Sequence, residues 1–521
     1  MTSTQTTFLA RPPADLVGGS WIELPGDGGG GGDEIVSTAP ADPSRVVWRA
    51  APEVGHVDRA IASARAALPT WSGWSPDRRV AVLERFRAIA EERAERLAAL
   101  ISLETGKARW ESLGEAKLIA GKVDITLEMS EHSGRRRVSG FEFELGESKR
   151  ASCWFRPHGV MTVVGPFNFP AHLPNGHIVP ALLLGNTIVL KPSEKTPAVG
   201  QFLAEMFQDA LRGADAPPGV FNLVQGGVES SKRLTAHPDA DGVLFTGSWP
   251  VGRAILEANL DHPGKIVALE MGGNNPAVIM NDADLRQAVG ECVRCAFITT
   301  GQRCTCTRRL IVQEGVAERV IRAVVRSASS LVVDDPDAET VFMGPIISED
   351  AREGVFAFQR RLASTGGEVL LESRPVEGRE GWYLTPSVVR VPGFSVDSDD
   401  CGCDEEVFGP LLRISVVRTL DEAIEQANAT RFGLASSIFT ADARAQDRFR
   451  RESRAGCVNV NCGTAGASSK LPFGGLGHSG NHRPAGAFSH DYCAYPTAGM
   501  TELGDGVLIP QGMTLDPEWL K

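Results

Sequence analysis

The sequence predicts an α/β protein built on a doubly wound, Rossmann-type parallel sheet, and three observations lead to this prediction. Short apolar segments alternate with helix-like segments along most of the chain, which is typical of strands joined by crossover helices. Polar or glycine residues follow several of these apolar segments, where such sheets bind ligands. The length of 521 residues exceeds one ordinary core, so we expect roughly two or three domains.

Composition excludes several classes of protein. The apolar fraction of 42% and the charged fraction of 23% are typical of a globular protein. A net charge of -12 argues against a nucleic-acid-binding surface. We see neither a signal peptide nor an apolar run of the roughly 20 residues that span a bilayer, so we expect a cytoplasmic protein. The ten cysteines match no zinc-ribbon spacing, and we expect no metal site.

The first third of the chain reads as a surface loop followed by scaffold helices. The glycine run 26–32 formally satisfies GxGxxG, but no strand precedes it and acidic residues follow it, so we interpret it as a flexible loop. Apolar residues recur at helical spacing over 57–103, which indicates amphipathic helices. A second helical stretch over 110–130 carries Lys122.

Two series of strands and helices follow. The first is predicted to contain the strands 159–166, 219–226, 241–248 and 265–273. Within 177–194 it is predicted to contain a helix, a glycine turn and a strand that ends at Lys191. The second is predicted to contain the strands 310–315, 383–391, 408–417 and 455–461, with helices at 317–333 and 420–428. The glycine-rich loop 472–480 suits either phosphate binding or a close passage of the backbone beside a site.

The segment FTGSWPVG predicts a dinucleotide-binding turn. Gly247, Ser248 and Gly252 lie between a strand and a helix, where backbone amides favour a pyrophosphate. Lys191 and Glu194 follow another strand in KPSE and suit the hydroxyls of an adenosine ribose. Since Glu194 would repel a 2′-phosphate, we expect NAD and not NADP.

Three further side chains suit covalent catalysis. Cys304 lies in GQRCTC, and the adjacent Arg303 could supply the positive field that a reactive thiol needs. Glu270 follows an apolar strand, so partial burial would raise its pKa and make it a general base. The amide of Asn168 could donate to an oxyanion. Together these groups describe oxidation through a thioester.

Seven motifs occur in one order along nearly the whole chain: PFNFP, KPSE, FTGS, LEMGGNNP, GQRC, EEVFGP and PFGG. With this set the sequence resembles the aldehyde dehydrogenase family. The resemblance implies that Cys304 is the nucleophile, Glu270 the deacylation base and Asn168 an oxyanion donor. The resemblance also implies cofactor contacts by Lys191, Glu194, Ser248, Glu406 and Phe408.

Longer segments, among them TTGQRCTCTRRL and PFGGLGHSGNHRP, resemble the branch of the family that oxidises N-succinylglutamate 5-semialdehyde in arginine catabolism. Carboxylates on such a substrate need cationic or amide groups at the tunnel mouth. The candidates are Arg303, His172, Lys122 and Arg483.

The segment CGTAGASSK at 462–470 departs from the pattern of that branch. Another anionic substrate, such as succinic or glutamic semialdehyde, therefore stays an alternative. A CoA-acylating relative and a catalytically inactive structural homologue are further alternatives, and the intact Cys304 and Glu270 argue against both.

The resemblance also implies a division into domains and a homodimer or homotetramer. A small β arm would pair with a second subunit, and the segments FEFEL and ASCWFR alternate as strands do. The expected ranges are 1–136 and 159–271 for the NAD-binding domain, 272–470 for the catalytic domain, 137–158 and 485–500 for the arm, and 501–521 for a tail.

Overall fold

A computed structural model describes residues 8–26, 34–129, 134–396, 401–466 and 468–521. Most of the glycine run interpreted as a loop lies outside the described residues. The helices are α1 (Gly55–Ser72), α2 (Pro76–Glu92), α3 (Ala94–Thr105), α4 (Arg109–Leu127), α5 (His172–Leu183), α6 (Pro197–Arg212), α7 (Val228–Thr235), α8 (Trp249–Ala258), α9 (Leu285–Phe297), α10 (Glu314–Ser329), α11 (Glu349–Ser364), α12 (Leu420–Ala427) and α13 (Ala443–Glu452).

The strands form two large sheets and several small ones. They are β1 (Ala14–Val17), β2 (Ser20–Glu23), β3 (Ile35–Ala39), β4 (Asp42–Ala50), β5 (Phe141–Glu144), β6 (Lys149–Pro157), β7 (Val160–Val164), β8 (Thr187–Lys191), β9 (Phe221–Leu223), β10 (Gly242–Gly247), β11 (Ile266–Met271), β12 (Asn275–Ile279), β13 (Thr307–Gln313), β14 (Glu368–Leu371), β15 (Ser387–Arg390), β16 (Leu411–Val417), β17 (Phe432–Gly433), β18 (Ala435–Phe439), β19 (Cys457–Val460), β20 (Pro472–Phe473), β21 (Leu476–Gly477), β22 (Ala485–Gly486) and β23 (Ala494–Glu502).

The first large sheet has the strand order β11-β10-β7-β8-β9-β1-β2. Its five strands from β11 to β9 are parallel, and the N-terminal hairpin of β1 and β2 extends the sheet in the antiparallel sense. The parallel strands are apolar along nearly their whole length and buried, as expected where helices cover both faces. The doubly wound sheet predicted from the alternation of strands and helices is confirmed.

The second large sheet has the order β14-β15-β16-β13-β12-β18-β19, and only β14 is antiparallel to its neighbour. Buried apolar side chains cover both faces of this sheet in two separate clusters. A short loop through Gly272 and Gly273 joins β11 of the first sheet directly to β12 of the second. The carboxyl ends of strands from the first sheet therefore lie beside the loops that begin the second.

The two segments predicted to form the arm contribute strands to a three-stranded antiparallel sheet, β23-β6-β5. β23 pairs with β6 over nine residues, from Ala494 opposite Pro157 to Glu502 opposite Lys149. The third strand thus begins later than the predicted boundary and continues into the predicted tail, because its ladder with β6 runs on through Glu502. The short strand β22, which the prediction placed in the arm, pairs instead with β20.

In the described part of the chain, no helix combines the length and the apolar character that crossing a bilayer requires. The domain boundaries expected from the sequence stay a prediction, although each predicted α/β series does form a sheet of its own.

Candidate active site

Cys304 lies in the loop between α9 and β13, and its backbone is fixed by a neighbouring asparagine. Asn275 Nδ2 donates to the carbonyl oxygen of Cys304 at 2.7 Å and to that of Cys306 at 2.8 Å. Cys304 is half-buried whereas Cys306 is fully buried. The two thiols that look equivalent in the sequence therefore differ in access, and only Cys304 is open to a substrate.

The charges around Cys304 differ from the sequence-based expectation. Burial, with the carboxylates of Glu270 and Glu406 next in importance, raises the pKa of the Cys304 thiol well above its usual value, and Arg308 opposes this shift. Arg303, which the sequence suggested as the activating cation, forms an ion pair with Glu111 at 2.8 Å. We therefore assign the positive field at the thiol to Arg308 and not to Arg303.

Arg308 also supports the backbone of the nucleophile loop. Its guanidinium donates to the carbonyl oxygens of Gly301 at 3.1 Å and Arg303 at 3.0 Å. The same guanidinium lies 3.6 Å from the carboxylate of Glu406. The buried Arg308 thus links the nucleophile loop to the segment that carries the predicted cofactor contacts Glu406 and Phe408.

Asn168 lies next to the nucleophile loop, as an oxyanion donor should. Its side-chain Nδ2 donates to the carbonyl oxygen of Gln302 at 2.9 Å, two residues before Cys304. The residue is buried, which removes competing water from its amide. The Asn168 amide is thus held against the backbone of the nucleophile loop.

Glu270 lies at the end of β11 and is 1% exposed. Neither of its carboxylate oxygens has a hydrogen-bond partner among the described residues. Burial raises the pKa of this carboxyl to about 8, and Arg483 lowers it in part. Glu270 lies close enough to raise the pKa of the Cys304 thiol, and it becomes able to accept a proton as the pH rises toward 8.

The glycine-rich loop 472–480 lies beside the strand that bears Glu270. Met271 N donates to Ser479 O at 3.0 Å, and Asn481 N donates to Leu269 O at 3.1 Å. Gly480 has φ +131°, and a Cβ there would overlap the carbonyl of Leu269. Of the two interpretations that the sequence left open, the structure favours close backbone passage beside the site.

The predicted adenosine contacts lie at the carboxyl end of β8. Lys191 is buried, and burial lowers the pKa of its ammonium group. Its Nζ lies 3.5 Å from Glu194 Oε2, and the Glu194 side chain is 49% exposed. Glu194 is therefore accessible to ribose hydroxyls, and Lys191 holds it in place.

The predicted pyrophosphate turn has the expected geometry at two positions but not at a third. Helix α8 begins at Trp249 directly after Gly247 and Ser248, so its free backbone amides point out of the turn. Gly252 is buried, and a Cβ there would overlap the sulfur of Met271. Gly252 thus allows close packing of helix on strand and is not a contact surface for a cofactor.

Glu406 and Phe408 lie across the cleft from this turn. Gly273 N donates to Glu406 Oε1 at 3.0 Å, and a side chain on Gly272 would overlap the Glu406 carboxylate. Phe408 packs edge-on against Phe167, with ring centroids 6.0 Å apart. With an amide-lined turn, the exposed carboxylate of Glu194 and the mostly buried carboxylate of Glu406, these residues fit a nicotinamide dinucleotide.

Two of the four candidates for binding substrate carboxylates are corrected by the structure. Lys122 is only 3% exposed and donates to Ser489 Oγ at 2.8 Å and to Gly486 O at 3.0 Å, so it lies inside the protein and not at a mouth. Burial lowers the pKa of His172 to about 4. Its imidazole is neutral at pH 7 and supplies no positive charge.

The other two candidates differ in how their charges are matched. Arg303 already faces the buried carboxylate of Glu111. Arg483 donates to Gly475 O at 2.6 Å and forms no ion pair with the described residues. Its charge acts on Glu270, so among the four it is the arginine best placed to meet an anionic substrate near the reacting atoms.

Sequence reasoning missed Asn274 and Asn275, although both lie in the quoted motif LEMGGNNP. Asn274 Nδ2 donates to three carbonyl oxygens of the loop that precedes Glu406, those of Gly402, Cys403 and Glu405. Two adjacent asparagines therefore tie the loop of Glu406 and the loop of Cys304 to the start of β12. The only sequence signal was their position beside Glu270.

Comparison with known proteins agrees with this geometry. The sequence profile of the aldehyde dehydrogenase family matches residues 29–497. The chain belongs to the aldehyde dehydrogenase family. It is therefore an enzyme that oxidises aldehydes, as the motifs and their order predict.

Curated members of the family align over almost the whole chain. One is the N-succinylglutamate 5-semialdehyde dehydrogenase of Sphingopyxis alaskensis, 42% identical over 492 residues, with 93% of this chain and 98% of that protein covered. Another is N-succinylglutamate 5-semialdehyde dehydrogenase 2 of Caulobacter vibrioides, 45% identical over 474 residues, with coverage of 90% and 93%.

Solved structures of other proteins share the fold. An NAD-dependent aldehyde dehydrogenase from Sinorhizobium meliloti superposes with a TM-score of 0.88 at 29% identity, covering 96% of this chain and 97% of that one. An NADP-dependent enzyme from E. coli gives a TM-score of 0.86 at 30% identity, covering 94% and 98%.

The pKa of about 8 at Glu270 predicts how hydrolysis depends on pH. Because only the ionised carboxylate can accept a proton, we expect kcat to rise with pH until about 8 and then to level off. Arg483→Gln removes the charge that lowers this pKa, so the rise should move to higher pH. Arg450→Gln, at an exposed ion pair with Asp447, is the control. An unmoved profile for Arg483→Gln would contradict the assignment.

Proposed function

We propose that the protein catalyses the NAD-dependent oxidation of N-succinylglutamate 5-semialdehyde to N-succinylglutamate. The observation that carries the reaction type is a half-buried Cys304 close to Glu270, a buried carboxylate without a described hydrogen-bond partner. The substrate is supported by relatives of that name that align along the chain. The active-site groups favour a working hydrolytic enzyme over an inactive structural homologue.

The first half of the proposed reaction forms a thioester. The Cys304 thiolate attacks the aldehyde carbon, and the carbonyl electron pair moves to oxygen. Asn168 Nδ2, which here donates to Gln302 O, is placed to donate to that oxyanion instead. A nicotinamide dinucleotide held by Lys191, Glu194 and the turn at Ser248 would supply the acceptor for the hydride of the same carbon. The C=O bond re-forms, and the acyl group stays on sulfur.

The second half hydrolyses the thioester. Glu270 accepts a proton from water, the resulting hydroxide attacks the acyl carbon, and the C–S bond breaks. The leaving group is the Cys304 thiolate, and the product is a carboxylic acid. Glu270 is buried, and neither of its carboxylate oxygens has a hydrogen-bond partner among the described residues. Burial raises its pKa to about 8, which makes it a stronger base than a solvated carboxylate.

We also propose that the three-stranded sheet of the arm joins two copies of the chain in the cytoplasm, as a dimer or tetramer. Phe141 and Phe143 are more than half exposed on β5, and Met500 is 74% exposed on β23. Such a group of exposed apolar side chains on a small sheet suits contact with another protein surface.

Pre-steady-state kinetics test the two halves of the reaction separately. Glu270→Gln should retain a burst of NADH of about one equivalent per site, followed by turnover slowed by about 100-fold or more, because acylation is intact and water is not activated. Cys304→Ser should show no burst.

Cys306→Ser is the matched control for the nucleophile. Cys306 is buried two residues away, so this variant should keep the burst and most of the turnover. If Cys306→Ser abolished the burst while Cys304→Ser retained it, the assignment would be reversed.

The exposed carboxylate of Glu194 should select the cofactor. Glu194→Gln removes the charge that repels a 2′-phosphate, so we expect the ratio of kcat/KM for NAD to that for NADP to fall by about tenfold or more. Glu229→Gln changes an exposed carboxylate that is paired with Lys232 on α7 and should leave the ratio unchanged. A wild-type enzyme that prefers NADP would sink the proposal.

A panel of aldehydes tests the substrate and its anchor together. We expect the highest kcat/KM for N-succinylglutamate 5-semialdehyde and lower values for succinic and glutamic semialdehydes. Arg483→Gln should raise KM for the anionic substrates by about tenfold or more, since a hydrogen bond to a charged group is lost. A neutral aldehyde such as pentanal should show no such change. Equal losses for both classes would exclude Arg483 as the anchor.

A further inference from the structure

Helix α4 carries two buried glutamates one turn apart. Glu111 is 5% exposed and Glu115 is 1% exposed. Residues four apart lie on the same face of a helix, so both carboxylates point to the same side of α4. Each binds a different loop of the active site, and neither belongs to the reacting groups described above.

Glu111 binds the start of the nucleophile loop. Its Oε2 accepts from Thr299 N at 3.0 Å, and its Oε1 accepts from Thr299 Oγ1 at 2.7 Å and from Arg303 Nη2 at 2.8 Å. Arg303 Nε in turn donates to Thr299 Oγ1 at 2.7 Å. A single carboxylate thus closes both ends of the five-residue turn that ends beside Cys304.

This turn has an unusual backbone conformation. Thr299 and Thr300 have φ values of 55° and 54°, and Gly301 follows with φ 72°. Threonine rarely adopts the left-handed region because its branched Cβ crowds the backbone. Such a conformation persists only where surrounding contacts enforce it. The three bonds to Glu111, with that from Thr300 Oγ1 to Gly344 O at 2.9 Å, provide these contacts.

Glu115 binds the loop of the oxyanion donor. Its Oε1 accepts from the backbone amides of Ala171 at 3.1 Å and His172 at 3.2 Å. Its Oε2 accepts from Lys107 Nζ at 2.5 Å. The same ammonium donates to Asn168 O at 2.7 Å. Glu115 and Lys107 therefore hold the backbone from the carbonyl of Asn168 to the amide of His172.

The negative charges of Glu111 and Glu115 are balanced by two buried or half-buried cations. Two buried carboxylates face two cations, Lys107 and Arg303, and both cations lie against the ring of Phe169, at 3.9 Å and 4.9 Å from its centroid. Buried charges are tolerated when they are paired and hydrogen-bonded. The Phe169 ring therefore separates two matched ion pairs, one for each loop.

We propose that Glu111 and Glu115 are positioning residues that make α4 a common support for the nucleophile and the oxyanion donor. Glu111 fixes the position of the Cys304 loop, and Glu115 fixes the position of the Asn168 loop. Because both belong to one rigid helix, that helix fixes the distance between the Cys304 sulfur and the Asn168 side-chain amide. The reaction needs both groups on one carbonyl, and a displacement of about 1 Å can cost about 100-fold in rate. The kinetic part of this inference rests on the proposed function.

Two reactions of Cys304 separate the two roles. The NADH burst needs both thiol and oxyanion donor, whereas alkylation by iodoacetamide needs the thiol alone. Glu115→Gln should slow the burst by about tenfold to 100-fold and leave alkylation within about twofold of wild type. Glu111→Gln should slow both, because a relaxed turn withdraws the carbonyls that Arg308 binds and with them the positive field at sulfur.

The measurement follows alkylation of the Cys304 peptide by mass spectrometry, since the chain has ten cysteines. Asp124→Asn is the matched control and should change neither reaction. Asp124 lies on α4 with the two glutamates and forms an exposed ion pair with Arg87 of α2. Thermal unfolding and cofactor binding report whether each variant is folded. If a glutamine variant does not fold, Glu111→Asp and Glu115→Asp keep the charge and shorten the reach, and the same contrast is expected.

Equal slowing of alkylation by both variants, or bursts within about twofold of wild type, would overturn the proposal. A merely structural role would lower the unfolding temperature without separating the two reactions. If the wild-type enzyme formed no NADH with any semialdehyde, the proposed function would fail. The alkylation contrast would still decide whether Glu111 and Glu115 act on different loops.

Discussion

The active site depends on one constraint, the burial of the Glu270 carboxylate at a place where no described residue forms a hydrogen bond with it. A group of this kind is unfavourable inside a protein, and Glu270 is kept there by the backbone on both sides. On one side β11 pairs with β10, and on the other side Gly480 and Asn481 bond to the same strand. The stability of the sheet thus offsets the cost of placing an unpaired base beside a thiol.

The thiol itself is not activated in the way that an isolated reactive cysteine would be. Burial, and after it the carboxylates of Glu270 and Glu406, raise the pKa of Cys304, and Arg308 is the cation that opposes this shift. The resting site therefore favours a protonated thiol near a carboxyl of similarly raised pKa. Reactivity then depends on geometry and on proton transfer to a nearby base more than on a stored thiolate.

Loops from both large sheets meet at this point, and side-chain amides and carboxylates join them. Asn275 binds the carbonyls of the Cys304 loop, and Asn274 binds the loop that precedes Glu406. From the opposite side, Glu111 and Glu115 bind the loops of Cys304 and Asn168. The reacting groups come from separate elements, but the hydrogen bonds that place them converge on β12 and α4.

The sequence by itself determined the fold class and the family, because apolar periodicity and ordered motifs are local properties of the chain. It also located the five parallel strands of the first sheet, but it did not predict β12 and β18 of the second. Only the tertiary structure decided which charges are free. Lys122 is buried, Arg303 is matched by a glutamate about 190 residues earlier in the chain, and Gly252 packs on Met271. Burial and ion pairing depend on residues distant in sequence, and no local pattern encodes them.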